Sequence, residues 1–292
     1  MIYAILGPTC SGKSDLAEAI SLKKNCPVIN FDAFQVYKEI NKGTAKPDEE
    51  LLNSNRYFLY GFKSIKEDYN ISLYQNDGRK LLEKYKNQDV VLVGGSGLYL
   101  KALLFDYNLL EEDPMPENYK SDVSNEILYE ELLKIDSEDA LKIGKNNRKR
   151  LLRAHYVYET HKKSKTELND NGKNKLLYGD VIFIGLDIDR EILYKNINKR
   201  VDLMFENGLK EEVDELFNKF DKSLRAFQAI GYKEFLLSDD IEFVKEKIKL
   251  NTRRYAKRQF TFFKHQFDNV NWFKTKDEAL NFVLGEENGN RR

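Results

Sequence analysis

Gly7-Pro8-Thr9-Cys10-Ser11-Gly12-Lys13-Ser14 follows directly on the apolar run Ile2-Tyr3-Ala4-Ile5-Leu6. It is a complete G-x-x-x-x-G-K-[ST] phosphate-binding loop, and its place after a strand-like run and before a helical stretch makes it a physical site. A buried first strand delivers the chain to a glycine-rich turn whose N–H groups point inward, and a helix beginning near Gly12 adds its positive dipole end. Lys13 supplies a point charge for a terminal phosphate, and the Ser14 hydroxyl is a candidate ligand for Mg²⁺. Ser14 would serve equally as a first-turn cap of the helix, and Cys10 reads as a small loop residue. The loop implies a bound di- or triphosphate. It does not distinguish transfer, hydrolysis or expulsion of that group.

Outward from the loop the pattern alternates between helix and strand. Leu16, Ala19 and Ile20 recur at helical spacing, and Pro27-Val28-Ile29-Asn30-Phe31 is a second short buried strand. Turn residues fill 32 to 47, a helix is expected over 73–86, and Asp89 to Val93 is an apolar strand of the kind a parallel sheet buries on both faces. It ends in Gly94-Gly95-Ser96-Gly97, another strand-to-helix junction. Three strands each ending in a polar turn place Ser14, Asp32 and Ser96 along one edge of the sheet, where open α/β sheets bind ligands. The expected fold is α/β: a P-loop NTPase-like parallel sheet flanked by helices.

The character changes beyond Glu111. Residues 111 to 139 are rich in acids, 145 to 165 are strongly basic, and neither half contains a strand-like run. Residues 112–175 therefore read as an all-helical insertion domain, with 1–111 and 176–292 forming the catalytic core. The Asn/Gly/Lys stretch 169–175 is the expected hinge. The sheet resumes at Val181 to Leu186, helices run to about residue 265, and a last short strand is expected at 270–273.

Composition narrows the class. The 48 basic and 48 acidic residues cancel, so any polyanionic partner must be sought in how the charge is distributed. Only Cys10 and Cys26 occur, which excludes a disulfide framework or a zinc cluster. No stretch approaches the roughly 18 apolar residues of a membrane span, and the first residues do not resemble a signal peptide. The default expectation is a cytoplasmic protein without membrane contact.

Asp32, just past the second strand, could accept a proton from an incoming nucleophile or approach Mg²⁺ through water, although an aspartate there also suits a turn or helix cap. The text around it weighs toward chemistry. Asp32-Ala33-Phe34-Gln35-Val36-Tyr37, Gly43-Thr44-Ala45-Lys46-Pro47, Val93 to Tyr99, Gln228-Ala229-Ile230-Gly231-Tyr232-Lys233-Glu234 and Thr252 to Gln259 appear in order. Together they resemble the bacterial tRNA dimethylallyltransferases, from Gly7 to about His265.

The resemblance implies transfer of a dimethylallyl group from dimethylallyl diphosphate to N6 of adenosine 37, beside the anticodon of tRNAs reading codons that begin with U. It makes Asp32 the general base, puts Ser96 in the place of a catalytic threonine, and makes Arg200 the clamp on the departing diphosphate. On its own pattern, Arg200 would be a surface charge on a helix that turns Val201 and Met204 inward. The loop Gly7 to Ser14 would bind the diphosphate with Mg²⁺. Contacts to the tRNA anticodon stem-loop would come from Asp32, Ala33, Phe34 and Gln35, from Lys149, Arg150, Leu151, Leu152 and Arg153 in the insertion, and from Gln228, Ala229, Ile230, Gly231, Tyr232 and Lys233. A monomer is expected.

The chemistry is coherent on its own terms. An exocyclic adenine amine is a weak nucleophile, so a carboxylate that takes its proton as the bond forms would help. Charge accumulates on the leaving diphosphate, where Lys13, Arg200, loop N–H groups and Mg²⁺ would stabilise it. The basic pattern Lys245 to Lys264 suits RNA phosphates, with Phe260 and Phe263 read as core. Lys42, Phe262 and an unmatched stretch at 114–120, where Asn118 and Lys120 are the nearest candidates for a tRNA-contacting arginine, depart from the family pattern. A free-nucleotide isopentenyltransferase, a P-loop small-molecule kinase using Asp32 on a hydroxyl, and a non-catalytic RNA-binding module are the alternatives.

Overall fold

A computed structural model describes residues 1–107, 115–169 and 175–285 of the chain. Strand β1 (Ile2–Leu6) is the apolar run before the phosphate-binding loop, and helix α1 (Lys13–Lys24) starts immediately after Gly12. α1 buries Leu16, Ala17 and Ile20, and carries Lys23 and Lys24 in its last turn, where cations suit the negative end of the helix dipole. Strand β2 (Val28–Asn30) is fully buried. A short α2 (Glu49–Leu52), capped by Asp48, precedes a two-residue strand β3 (Tyr57–Phe58) that the sequence pattern did not reveal. α3 (Ile71–Lys84) begins where the Asn70 side chain accepts the N–H groups of Ser72 and Leu73, which sets its start two residues ahead of expectation. β4 (Val90–Val93) is buried along its whole length, each side chain contributing roughly 1.5–3 kcal/mol. It leads into α4 (Gly97–Leu104).

The chain divides into two compact units, Met1–Leu103 with Tyr178–Arg292, and Leu104–Leu177. The second is helical: α5 (Asn125–Ile135), α6 (Ser137–Ile143), α7 (Arg148–His161) and α8 (Lys165–Asn169). Leu128, Leu132, Ala140, Leu151 and Ala154 form its core. The Arg148 guanidinium ties the segment before α5, donating to the carbonyls of Lys120, Ser121 and Val123 at 2.7–2.9 Å. The acids Glu111, Glu112 and Asp113 and most of the expected hinge lie outside the described residues.

The first unit resumes with β5 (Val181–Leu186), α9 (Arg190–Glu206) and α10 (Leu209–Lys219). Two 3-10 turns (Arg225–Gln228 and Lys233–Leu236), the long α11 (Ile241–Gln266), β6 (Asn271–Phe273) and α12 (Lys276–Leu284) complete it. α12 lies beyond the elements expected from the sequence, although Thr275 and Glu278 form a reciprocal capping box at its start.

All six strands run parallel in the order β3-β2-β4-β1-β5-β6. β4 lies between β2 and β1, with Val93 opposite Ile5 on one side and Asn30 on the other. Neighbouring strands stand about 4.8 Å apart, so the loops leaving β2, β4 and β1 emerge side by side. That arrangement sets Lys13, Asp32 and the Gly94–Ser96 turn on one edge, the position at which open parallel sheets hold ligands.

Candidate functional site

The loop after β1 is shaped by three positive-φ residues, Gly7 at φ 141°, Cys10 at φ 63° and Gly12 at φ 90°. Gly12 is the N-cap of α1, and no side chain caps this helix. Side chains from α9 and Lys13 itself hold the loop. Arg200 on α9 donates to the Thr9 hydroxyl at 2.9 Å and to the Cys10 sulfur at 3.6 Å. Asn196, one turn earlier, donates to the Cys10 carbonyl at 3.3 Å. Lys13 folds back so that its ammonium donates to the Pro8 carbonyl at 2.6 Å. Lys13 is only 9% exposed, and burial lowers its pKa from 10.5 to about 8; Cys10 and Asp32 oppose the shift and Arg200 adds to it. Removing an ammonium from water disfavours its charge, so this group gains from a polyanionic partner.

Asp32 occupies a turn and is half-buried, lining a cavity beside the loop. Its Oδ1 accepts the N–H groups of Phe34 at 2.9 Å and Gln35 at 3.3 Å, an Asx turn that fixes the side chain. Buried Asn30 steadies the same bend, accepting the Asp32 N–H at 2.9 Å and donating to Leu59 O at 2.9 Å. Oδ2 lies against Gly95, where an added Cβ would come within 2.6 Å of it. Only glycine leaves that oxygen its place. Ser96 sits beside the carboxylate's loop, its Oγ accepting the Ala33 N–H at 3.0 Å, and it does not line the cavity.

A cavity of about 760 Å³ joins these parts. Thr9, Cys10, Gly12, Lys13, Ser14, Asp32 and Arg200 line it, together with Phe34, Gln35, Gln228, Ala229, Ile230 and Lys233. Val201, Met204 and Ile248 add an apolar stretch to the wall. The volume falls within the range for small-molecule sites. Gly7, Pro8, Ser11, Ala33, Gly231 and Tyr232 are not among the residues that line the cavity. Tyr232 is fully buried: its hydroxyl donates to Glu212 at 2.6 Å and accepts the Gly43 N–H at 3.1 Å, while burial pushes its pKa up. It supports the wall at Gly43–Ala45 and has no surface to offer a macromolecule. The Gln35 amide braces the same wall by donating to Thr44 O at 3.0 Å.

Among the described residues there is no group of three or more His, Cys, Asp or Glu side chains suited to a metal. Beside the loop the cavity is lined by the Ser14 hydroxyl and by two carboxylates, Asp15 and Asp32, of which Asp15 also faces Lys276 at 3.7 Å. That sparse oxygen set fits a hard cation such as Mg²⁺ bound chiefly through phosphate oxygens rather than in an all-protein cage.

The basic stretches divide on inspection. In α7, Lys149 and Arg150 are exposed and Arg153 lies over the Tyr156 ring at 5.6 Å, but Leu151 is completely buried and Leu152 packs against the same core. The helical period turns Leu151 inward, so a tRNA-facing role for its side chain is corrected to a packing role. Lys120 is engaged with Glu159 at 3.0 Å. On α11, Lys245 and Lys249 both pair with Asp202 at 3.0 Å and Arg253 donates to Asn198 at 2.8 Å, leaving less free charge than the sequence suggests. Phe263 is buried as a core residue, whereas Phe260 is only half-buried and meets the Trp272 ring edge-on at 5.4 Å. Tyr255, missed as a site residue, lines the cavity and donates to Gly95 O at 2.9 Å. Its signal was a polar position on the inner stripe Ile248, Thr252, Tyr255, Gln259 of α11. No helix among the described residues is long and apolar enough to cross a membrane.

Comparison with known proteins bears on this geometry. The family model described as IPP transferase matches residues 35–266. A tRNA dimethylallyltransferase of Malacoplasma penetrans is 40% identical over 271 residues, covering 91% of this chain and 90% of the relative. The solved tRNA delta(2)-isopentenylpyrophosphate transferase from Staphylococcus epidermidis superposes with a TM-score of 0.69 at 30% identity, covering 98% of this chain and 97% of the other. A eukaryotic dimethylallyltransferase captured acting on tRNA gives 0.82 at 26% identity, with 98% and 76% covered.

Proposed function

The chain belongs to the IPP transferase family, and on that premise we propose that it transfers a dimethylallyl group from dimethylallyl diphosphate to N6 of adenosine 37 in tRNA. The products are N6-isopentenyladenosine and diphosphate, and the substrates are tRNAs reading codons that begin with U. The observation that carries the proposal is the meeting of Lys13, Asp32 and Arg200, from three separate elements of the chain, around one cavity.

In the proposed reaction the N6 lone pair attacks the first allylic carbon, the bond from that carbon to the diphosphate oxygen breaks with its electron pair, and the N6 proton passes to Asp32 Oδ2. Lys13 exchanges the Pro8 carbonyl for the diphosphate, and Arg200, already bonded to Thr9, offers its guanidinium to the same oxygens. Charge stabilisation of this kind supplies much of the rate in dry sites. Mg²⁺, held by Ser14 and the diphosphate, would supply further neutralisation of the leaving group. The adenine must be extruded from its single-stranded loop to reach Asp32. Exposed Lys149 and Arg150 are the proposed phosphate contacts for the anticodon stem-loop. The protein is proposed to act as a cytoplasmic monomer.

Incubation with radiolabelled dimethylallyl diphosphate, offering tRNA or AMP in turn, tests the assignment. Label in tRNA is expected. Label in AMP but never in tRNA would replace it with free-nucleotide prenyl transfer, and phosphate passing from ATP to a small alcohol would remove prenyl transfer altogether.

A further inference from the structure

α11 contributes a residue to which the reaction as written assigns no part. Gln259 is 4% exposed, and both ends of its amide are engaged. Its Oε1 accepts the Thr9 N–H at 2.8 Å, across 250 residues of sequence, and its Nε2 donates to the Gly95 carbonyl at 2.9 Å. A backbone donor on one side and a backbone acceptor on the other fix which end of the amide faces which. Thr9 belongs to the diphosphate loop and Gly95 to the turn against which Asp32 rests. A Cβ built on Gly95 would meet Asp32 Oδ2 at 2.6 Å, Gln259 Nε2 at 2.8 Å and Tyr255 OH at 3.1 Å, so carboxylate, amide and phenol converge on one point.

We propose that Gln259 is a positioning residue that couples the diphosphate loop to the base, a side-chain link that trims the distance between leaving group and Asp32 within the frame the sheet sets. The proposal rests on the prenyl-transfer reading of the site. Both ends of the link are needed. At the Thr9 end, the amide pins the residue that precedes left-handed Cys10 and that also binds Arg200, so losing it releases the loop's most constrained corner. At the Gly95 end, Tyr255 donates to the same carbonyl at 2.9 Å and would remain, which keeps the turn in place but frees it from the loop. Geometry of this kind enters the rate steeply, a displacement of about 1 Å costing on the order of 10²-fold.

The test is Gln259→Leu, near in volume and without polar atoms, examined in the full chain and again in an Asp32→Asn background. Expected are an affinity for inorganic diphosphate about tenfold weaker, as for one lost hydrogen bond, and a single-turnover transfer rate lower by about 10²-fold at saturating substrates. In the Asp32→Asn background the rate loss on adding Gln259→Leu is expected to vanish while the diphosphate loss persists, because the rate effect passes through Asp32. A merely structural role would slow both backgrounds alike. Gln259→Asn, whose amide is too short to reach both partners, is expected to give the same pattern and serves if the leucine variant does not fold. Wild-type rate and diphosphate affinity in Gln259→Leu, or an undiminished rate loss in the Asp32→Asn background, would overturn the proposal. If the wild-type chain itself fails to prenylate tRNA, the functional reading falls, while the diphosphate titration still tests the Thr9 half of the link.

Discussion

Lys13 is held in the unliganded fold at a cost in charge. Burial lowers its pKa from 10.5 to about 8, and at about 1.36 kcal/mol per unit the charged ammonium disfavours the unliganded fold at pH 7 by roughly 3 kcal/mol. Lys13→Met removes that cost. It also orphans the Pro8 carbonyl, which accepts from Lys13 at 2.6 Å, at a cost of about 1–2 kcal/mol. The variant is therefore expected to be more stable than wild type at pH 7 by about 1–2 kcal/mol, and to bind no diphosphate. The folded-state pKa is depressed, so the wild-type penalty is complete below about pH 8 and fades as pH rises toward the unfolded value of 10.5. The gap between the two proteins must narrow over that window. Lys46, also lowered to about 8 by burial, titrates identically in both and cancels. Urea unfolding followed by the fluorescence of Trp272, the one tryptophan of the chain, at pH 7 and pH 10 measures the difference. A variant no more stable than wild type at pH 7, or a gap equally wide at pH 10, would refute the reasoning.

Asp32→Ala is expected to keep its affinity for diphosphate and lose on the order of 10²–10⁴ in turnover; retained turnover rejects the base assignment. Gly95→Ala drives a methyl to 2.6 Å from Asp32 Oδ2 and should lower the rate by about 10²-fold, so a wild-type rate would show that the carboxylate can give way. Leu151→Ala, in the core of the helical unit, should destabilise that unit by about 2–5 kcal/mol, read as faster hydrogen exchange in α5 and α7; unchanged exchange would contradict its burial. Replacing Lys149 and Arg150 together by alanine should weaken tRNA binding and reduce the slope of log affinity against log salt by about 1–2, and an unaltered slope removes these two side chains from the RNA surface.

The parts of the fold legible in the sequence are those with local causes. Ile2 to Leu6, Val90 to Val93 and Val181 to Leu186 are apolar throughout because a covered parallel strand is buried on both faces, and the loop after β1 carries its own spacing. The strand order was not legible, since nothing near Val90 states that it pairs with both Ile2 and Val28. β3 has two residues, too few to show a period. The site divides along the same line. Lys13, Ser14 and Asp32 stand beside motifs read within a dozen residues. Arg200 looks like a surface charge until its partner Thr9, 191 positions away, is in place. Leu151 lay in a basic stretch whose inward and outward positions only the helix distinguishes. Thr275 and Glu278 mark the start of α12 by the three-residue spacing of a capping box.

The sheet order has a consequence for biosynthesis. The glycine-rich loop after β1, Asp32 and Gly95 all fall within the first 103 residues, which form one contiguous stretch of the first unit. The strand that flanks β1 on its far side begins at Val181, and Arg200, Tyr232, Tyr255 and Gln259, which brace the loop, the wall and the Gly95 turn, follow it. On a ribosome adding about 5–20 residues per second, the chemistry-bearing groups emerge several seconds before the side chains that aim them. Competence arrives only with the last third of the chain, and a truncated product carries the motif without the means to use it.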